Sequence, residues 1–409
     1  MSQQVSSRPA GMEVSDIFRE YSLAYRKTQT LPIYHLKVIG AIEQCRTAAL
    51  GGHKDKCDEC GHIRISYNSC CNRHCPKCQG LAREKWILAR EKDLLPIEYF
   101  HVVFTLPDDL NPMALVNQRV IYNLLFKAAS ETLLELGKDP KHLGGEIGFI
   151  AVLHTWGQNL MDHPHLHCIV TGGGLSEDGK RWILPRKHKS KKRFFIHVNV
   201  ISELFKQKFL YYLQVAYHNN KLDFFGKIRF LASKRQFRLF INTLYDKRWV
   251  SYCKEPFGGP QQVFHYLGSY THRVAISNHR IIKIENGKVL FRYRDYHDGN
   301  KIKVMSLDAF EFIRRFLLHI LPRGFIKIRH YGLLSNRLRR VKLDHCREVL
   351  GVPAYKEPEE TCKGWQDDLL EFTGVDLSIC PMCGIGRMIK IEDIRPMSHS
   401  PPRINSFAA

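Results

Sequence analysis

The sequence predicts an α+β protein: an antiparallel sheet with packed helices, preceded by a metal-binding domain. Three observations carry that prediction. Cysteines gather as Cys57-x2-Cys60 and Cys75-x2-Cys78 ahead of the first strongly apolar run. Runs rich in β-branched and aromatic residues at 99–106, 147–156 and 166–171 read as strands, between stretches of helical periodicity. A short connection, 157–162, joins the second and third of these runs. A chain of 409 residues that is 44% hydrophobic has room for two or three domains.

Charge narrows the function. The formal charge is +22, from 62 Lys+Arg against 40 Asp+Glu. That balance favours a polyanionic partner, most simply nucleic acid. The bland alternative is a basic protein that binds nothing in particular. No apolar run reaches the ~18 residues of a membrane span. The N-terminus lacks the apolar stretch of a secretory signal. A cytoplasmic protein with no membrane partner is expected. There, 13 cysteines are metal ligands or buried thiols rather than disulfides.

In chain order, residues 1–50 form an N-terminal helical segment. Residues 1–11 read as disordered, then Ile17, Phe18, Tyr21, Leu36, Ile39 and Ile42 recur at helical spacing in two helices broken near Pro32. A zinc-binding domain follows at 51–95. Each C-x2-C makes a tight knuckle that presents two thiolates to one ion, and thiolates select zinc or an iron–sulfur cluster over hard cations. The expected ligands are Cys57, Cys60, Cys75 and Cys78. His53, His62, Cys70, Cys71 and His74 are spare ligands that could replace one of them or hold a second ion. A purely structural staple and a nucleic-acid-contacting finger are both open readings.

The core spans 96–280, with a long helix at 112–136 and a helical insertion at 201–248. Its centre is His163-Pro164-His165-Leu166-His167. On a strand, side chains at i and i+2 leave the same face, so His165 and His167 point together and Leu166 points into a core. If the 147–156 and 166–171 runs pair, His154 faces the two and completes a three-imidazole metal site. Gln158, Asp162 and His163 are the fallback ligands, and the bland reading is a set of satisfied core histidines. Gly172-Gly173-Gly174 reads as a turn and not a phosphate loop, because no Gly-Lys-Ser/Thr follows.

The densest positive run includes Lys187, Lys189, Lys191, Lys192 and Arg193, suited to sequence-blind phosphate contact or to a solvated loop. Residues 194–200 read as a returning strand. Further on, Pro260 opens a helix in which Tyr266 and Tyr270, at i and i+4, leave one face. Such tyrosines are usually packing residues. Beside a divalent cation, a phenolate can instead attack a phosphodiester.

These motifs together carry a resemblance. The stretches CxxCGH…YNSCCNRHCPKCQ (57–79), HTWGQNLMDHPHLHCIVTGGGL (154–175), PFGGPQQVFHYLGSYTHRVAISN (256–278) and IRHYGLLSNRLR (328–339) resemble the HUH-type, two-tyrosine rolling-circle transposases of the insertion sequence ninety-one family. The resemblance covers most of the chain. It implies an HUH nuclease core. His165 and His167 would bind Mg²⁺ or Mn²⁺, and Tyr266 and Tyr270 would be the nucleophiles that form a 5′-phosphotyrosine on single-stranded DNA at transposon ends. His154 as third ligand rests on placement rather than on the resemblance. Arg273, Arg329 and Arg337 lie in matching or basic stretches as candidate DNA contacts. Cys71 stands where a basic residue is expected, which leaves open which thiols bind zinc.

Residues 281–345 read as a basic α/β region, with strands around an Asn286-Gly287 turn and a helix at 307–321. Residues 346–409 are a linker and a tail whose Cys380-x2-Cys383 is one knuckle of a candidate zinc ribbon, for which Cys346, Cys362 or His345 could supply the other ligands at irregular spacing. Two other functions compete: a histidine-triad nucleotide hydrolase, and a non-catalytic zinc-finger DNA-binding protein. Neither explains the zinc knuckles and the tyrosine pair together. No small-molecule cofactor is expected beyond Zn²⁺ and the catalytic Mg²⁺ or Mn²⁺, and the oligomeric state is open.

Overall fold

A computed structural model describes residues 11–185, 196–254, 268, 274–295, 298–354, 370, 374 and 376–397. The expectations for residues 1–10, the basic run Lys187 to Arg193, Tyr266, Tyr270, Arg273, most of the 351–368 linker and the last ten residues lie outside them. Two compact units form from separated stretches of chain. One draws on Met1–Lys85, His272–Leu317 and Pro358–Ala409, the other on Trp86–Thr271 and Leu318–Glu357.

The first unit opens with α1 (Val14–Thr28) and α2 (Ile33–Gln44), with Pro32 capping the second helix. A reciprocal capping box between Glu13 and Asp16 satisfies backbone donors at the start of α1. Strands β1 (Gly52–Cys57) and β2 (Ile63–Tyr67) form a hairpin around the first C-x2-C. In the second unit, α3 (Gln79–Glu91) leads across from the first and is followed by β3 (Tyr99–Thr105), α4 (Asn111–Val116) and α5 (Gln118–Lys138). The hairpin of β4 (Gly148–Trp156) and β5 (Asp162–Thr171) comes next, then the short pair β6 (Gly174–Leu175) and β7 (Trp182–Ile183). Helices α6 (Val198–His218) and α7 (Lys234–Asp246) precede β8 (Ser251–Lys254).

The chain then adds to the first unit a meander of β9 (Ile281–Glu285), β10 (Lys288–Asp295) and β11 (Lys301–Asp308), followed by α8 (Ala309–Leu318). Glu285 pairs with Lys288 across Asn286 and Gly287, whose φ values of 51° and 74° make the two-residue turn that Asn-Gly favours. Phe18, Phe291, Phe312 and Phe316 pack edge-on in this unit's core. Strand β12 (Ile328–Gly332) and helix α9 (Arg339–Val349) belong to the second unit, and β13 (Met388–Ile394) returns to pair with β1.

The strand expected over 194–200 is corrected in its described part: from Val198 the chain is helical, not extended. The His197 ring nitrogen accepts from the Asn199 backbone N–H at the helix start, and Ile201, Phe205 and Phe209 are buried at helical spacing. That periodicity overrides the β propensity of the preceding residues.

The second unit's sheet runs β12-β4-β5-β3-β8, antiparallel throughout, with the histidine-bearing β5 at its centre. One face carries Phe100, Val102, Phe104, Phe149, Ala151, Leu153, Leu166, Cys168 and Val170 into a core with α5 and α6. The opposite face carries Ile150, Val152 and Ile169 into a smaller core with Leu343 and Cys346 of α9. No helix among the described residues is long and apolar enough to cross a membrane.

Candidate metal centres

The register of three strands builds the histidine site. His165 lies opposite His154 on one side and Thr105 on the other, and His167 lies opposite Val152 and Val103. Directly opposed residues share a face. His101, two residues from Val103, therefore joins the same face as His154, His165 and His167. The ligand atoms of His154, His165 and His167 all fall within 4.8 Å of one another. His154 is 2% exposed and His167 is 8% exposed.

Hydrogen bonds orient these rings. His165 Nδ1 sits 2.6 Å from the His163 carbonyl oxygen. A carbonyl only accepts, so Nδ1–H is the donor, and in the neutral ring Nε2 keeps its lone pair. That Nε2 lies 3.0 Å from His167 Nε2. On its far side, His167 Nδ1 is 2.9 Å from His101 Nε2. His154 stands edge-on to both rings, with centroids 5.4 Å from His165 and 4.7 Å from His167, and stacks on Trp156 at 4.6 Å. Burial holds the His101 pKa down at about 4, helped by the nearby Lys254 charge. Burial also lowers His163, against the opposing pull of Asp108. Imidazoles whose Nε2 atoms face each other while the outer nitrogen is hydrogen-bonded, as in His165 and His167, have the donor arrangement of a metal site.

His101 was not among the residues expected here. Its position in an apolar strand gives the mark of a core histidine, and only the β3–β5 register reveals its neighbour. Of the fallback ligands, His163 shares the face, its ring centroid 5.0 Å from that of His165. Asp162 and His163 fall outside the converging group.

The cysteines divide differently from the expected foursome. Cys75 and Cys78 gather with Cys45 and Cys70, while Cys57 and Cys60 gather with Cys380 and Cys383. In the first group Cys78 Sγ is 3.5 Å from both Cys45 Sγ and Cys70 Sγ. Thiol hydrogen bonds from Cys45, Cys70 and Cys75 hold the Cys78 pKa below the ordinary thiol value. Cys45, at the end of α2, lies outside the cysteine-rich window and was missed. Cys71 turns outward at φ 50°, and His74 pairs with Arg73 rather than the thiols. Neither His345 nor Cys346 completes the C-terminal knuckle: His345 Nε2 binds the Gly179 carbonyl, and Cys346 is buried in the α9 core.

Among the basic candidates, Arg329 is half-buried. Its guanidinium lies 4.0 Å over the Phe126 ring and donates to Asn123 at 2.6 Å, on the sheet face opposite the histidines. Arg337 is exposed.

Comparison with known proteins decides the family. A family model described as "Putative transposase" matches residues 148–342, and one described as "Transposase zinc-binding domain" matches residues 17–106. A relative named "Putative transposase y4qJ", from Sinorhizobium fredii (strain NBRC 101917 / NGR234), is 51% identical over 397 residues, covering 96% of this chain and 98% of the relative. The chain belongs to the transposases of the insertion sequence ninety-one family. A second relative, "Transposase for insertion sequence element IS801" from Pseudomonas savastanoi pv. phaseolicola, is 28% identical over 371 residues, 89% of this chain and 85% of its own. No solved structure matches.

The transposase carries its first thiol group wholly within the zinc-binding match, and that match together with the cysteine clusters supports structural zinc. His154, His165 and His167 lie within the 148–342 match.

Proposed function

We propose that this transposase nicks single-stranded DNA at its element's ends with a tyrosine nucleophile, in the HUH manner, and moves strands by rolling-circle transposition. The observation that carries the reading is the convergence of His154, His165 and His167 on one rigid sheet face. These residues would hold the divalent cation, which when bound polarises the scissile phosphate. Three imidazoles suit a transition-metal ion such as Mn²⁺ better than Mg²⁺. His101 would act as a positioning residue, fixing the ring of His167 through its outer nitrogen.

The nucleophile would come from Tyr266 or Tyr270. They follow in sequence after β8, whose Lys254 pairs with His101. The phenolic oxygen attacks phosphorus, and the bond from phosphorus to the 3′-oxygen breaks. The phenol gives up its proton, and the departing oxygen takes one up as a 3′-hydroxyl. The 5′-phosphotyrosine keeps the energy of the broken bond, so a 3′-hydroxyl of another strand can later displace the tyrosine without a nucleotide cofactor. Two tyrosines let one site hold two strands.

The test is adduct formation on single-stranded DNA carrying the element's end. With Mn²⁺, the wild-type protein should shift to a denaturation-resistant protein–DNA band. Tyr266→Phe with Tyr270→Phe should abolish it, and His165→Ala with His167→Ala should reduce it by at least about 10²-fold, the scale of a lost electrostatic stabiliser. An undiminished band in the double tyrosine variant would sink the mechanism.

A further inference from the structure

Cys380 and Cys383 lie outside both matched stretches, and the proposed DNA chemistry does not use them. They nevertheless sit in a built site within the first unit. Cys383 Sγ is 3.7 Å from Cys57 Sγ, and Cys380 Sγ is 3.6 Å from Cys60 Sγ. Those separations are far beyond the ~2.05 Å of a disulfide, and all four sulfurs fall within 4.8 Å of one another.

The two halves repeat one local design. Each is Cys-x2-Cys-Gly, and the glycines, Gly61 and Gly384, sit at φ 72° and 68°, where a side chain would be strained. Each half turns a backbone N–H on a sulfur: Cys60 N to Cys57 Sγ at 3.5 Å, and Gly386 N to Cys383 Sγ at 3.3 Å. Paired knuckles with N–H···S bonds and four thiolates form a closed tetrahedral zinc site.

The surrounding backbone locks the halves together. Strand β13 pairs along β1, with Cys57 opposite Met388. Asp58 accepts from the Arg387 N–H at 2.7 Å, and its own N–H donates to the Arg387 carbonyl at 3.1 Å. Arg64 donates to the Leu377 carbonyl at 2.9 Å. Any side chain at Gly386 would place its Cβ 2.5 Å from Cys57 Sγ, so the close approach needs glycine.

We propose that Cys57, Cys60, Cys380 and Cys383 form a second structural zinc site, a zinc ribbon whose knuckles come from opposite ends of the sequence. The zinc-binding domain is then complete only after the C-terminal segment has been made and has docked on β1. A chain lacking that segment keeps one zinc, on Cys45, Cys70, Cys75 and Cys78, and leaves the β1 knuckle open.

The test counts sulfur-bound metal in the full-length protein. Cobalt replaces zinc under reducing conditions, and the thiolate-to-cobalt absorption registers only sulfur-ligated ions, so a cation on the histidine face does not contribute. The wild type should take up two such ions per chain. Cys380→Ser with Cys383→Ser should halve the signal, and so should Gly386→Val, which keeps every cysteine. One ion in the wild type, or two in the Cys380→Ser/Cys383→Ser variant, overturns the proposal. Tryptic cleavage at Arg387 and Lys390 of the wild type gives a second measurement that needs no variant. Cleavage should slow at least tenfold on adding zinc to the chelated protein, and an unchanged rate overturns the proposal equally.

Discussion

At the scale of residues, a few hydrogen bonds set the chemistry of the histidine face. His165 donates from Nδ1 to the His163 carbonyl and so turns Nε2 toward His167, whose outer nitrogen meets His101. Replacing His101 with alanine is expected to weaken Mn²⁺ binding by about 10–100-fold, as loss of a partner to a ligating histidine does. The Mn²⁺ concentration for half-maximal adduct should rise, with full yield regained at saturating metal and partial rescue by His101→Gln. A loss that no metal concentration restores would contradict a positioning role. His319 makes a separate prediction. Its Nε2–H donates to the Leu160 carbonyl and its Nδ1 meets the Thr155 hydroxyl, a satisfied neutral ring. Burial holds its folded pKa at about 4, below the ordinary 6.5, so the unfolded chain takes up the proton first. Its contribution is complete above pH 6.5 and is lost as pH falls toward 4, worth up to about 3 kcal/mol. His319→Asn should flatten the pH dependence of the unfolding midpoint across that window, and an unchanged slope would contradict the assignment. The His165–His167 pair was legible in the sequence because a strand's period of two is local. His101 and Cys45 were not, because each meets its partners only through pairing between distant segments.

At the scale of elements, β5 serves as a two-faced platform. The histidines leave one side, and Leu166, Cys168 and Val170 anchor the other in the α5–α6 core. Leu166 has no exposed surface, so Leu166→Ala should lower unfolding free energy by about 2–5 kcal/mol, measured by urea titration. A change below about 1 kcal/mol would mean the platform is not packed as described. The main strands of this sheet, the break at Pro32 and the Asn286-Gly287 turn were all readable, because each follows from local periodicity or turn chemistry. The strand expected over 194–200 fails from Val198 because Val198 and Val200 open a helix whose apolar spacing lies downstream. The fourfold cysteine grouping was misread for a different reason. A C-x2-C knuckle supplies two ligands wherever it occurs, and spacing along the chain does not say which knuckle faces it.

At the scale of the whole molecule, the transposase combines a histidine-bearing antiparallel sheet in one unit with thiol clusters in the other, on a chain of formal charge +22. The units are not successive segments of sequence, since the first is drawn from both ends and the middle of the chain. The central claim is that the histidine face serves a tyrosine-linked DNA cleavage. Its most direct measurement is peptide mapping of the covalent adduct formed with Mn²⁺ and single-stranded DNA, after nuclease and protease digestion. The account predicts a 5′-linked nucleotide on the peptide carrying Tyr266 and Tyr270, reduced at least about 10²-fold when His165 and His167 are alanine. A nucleotide recovered instead on the peptide carrying His163, His165 and His167 would contradict it and favour histidine-linked hydrolysis.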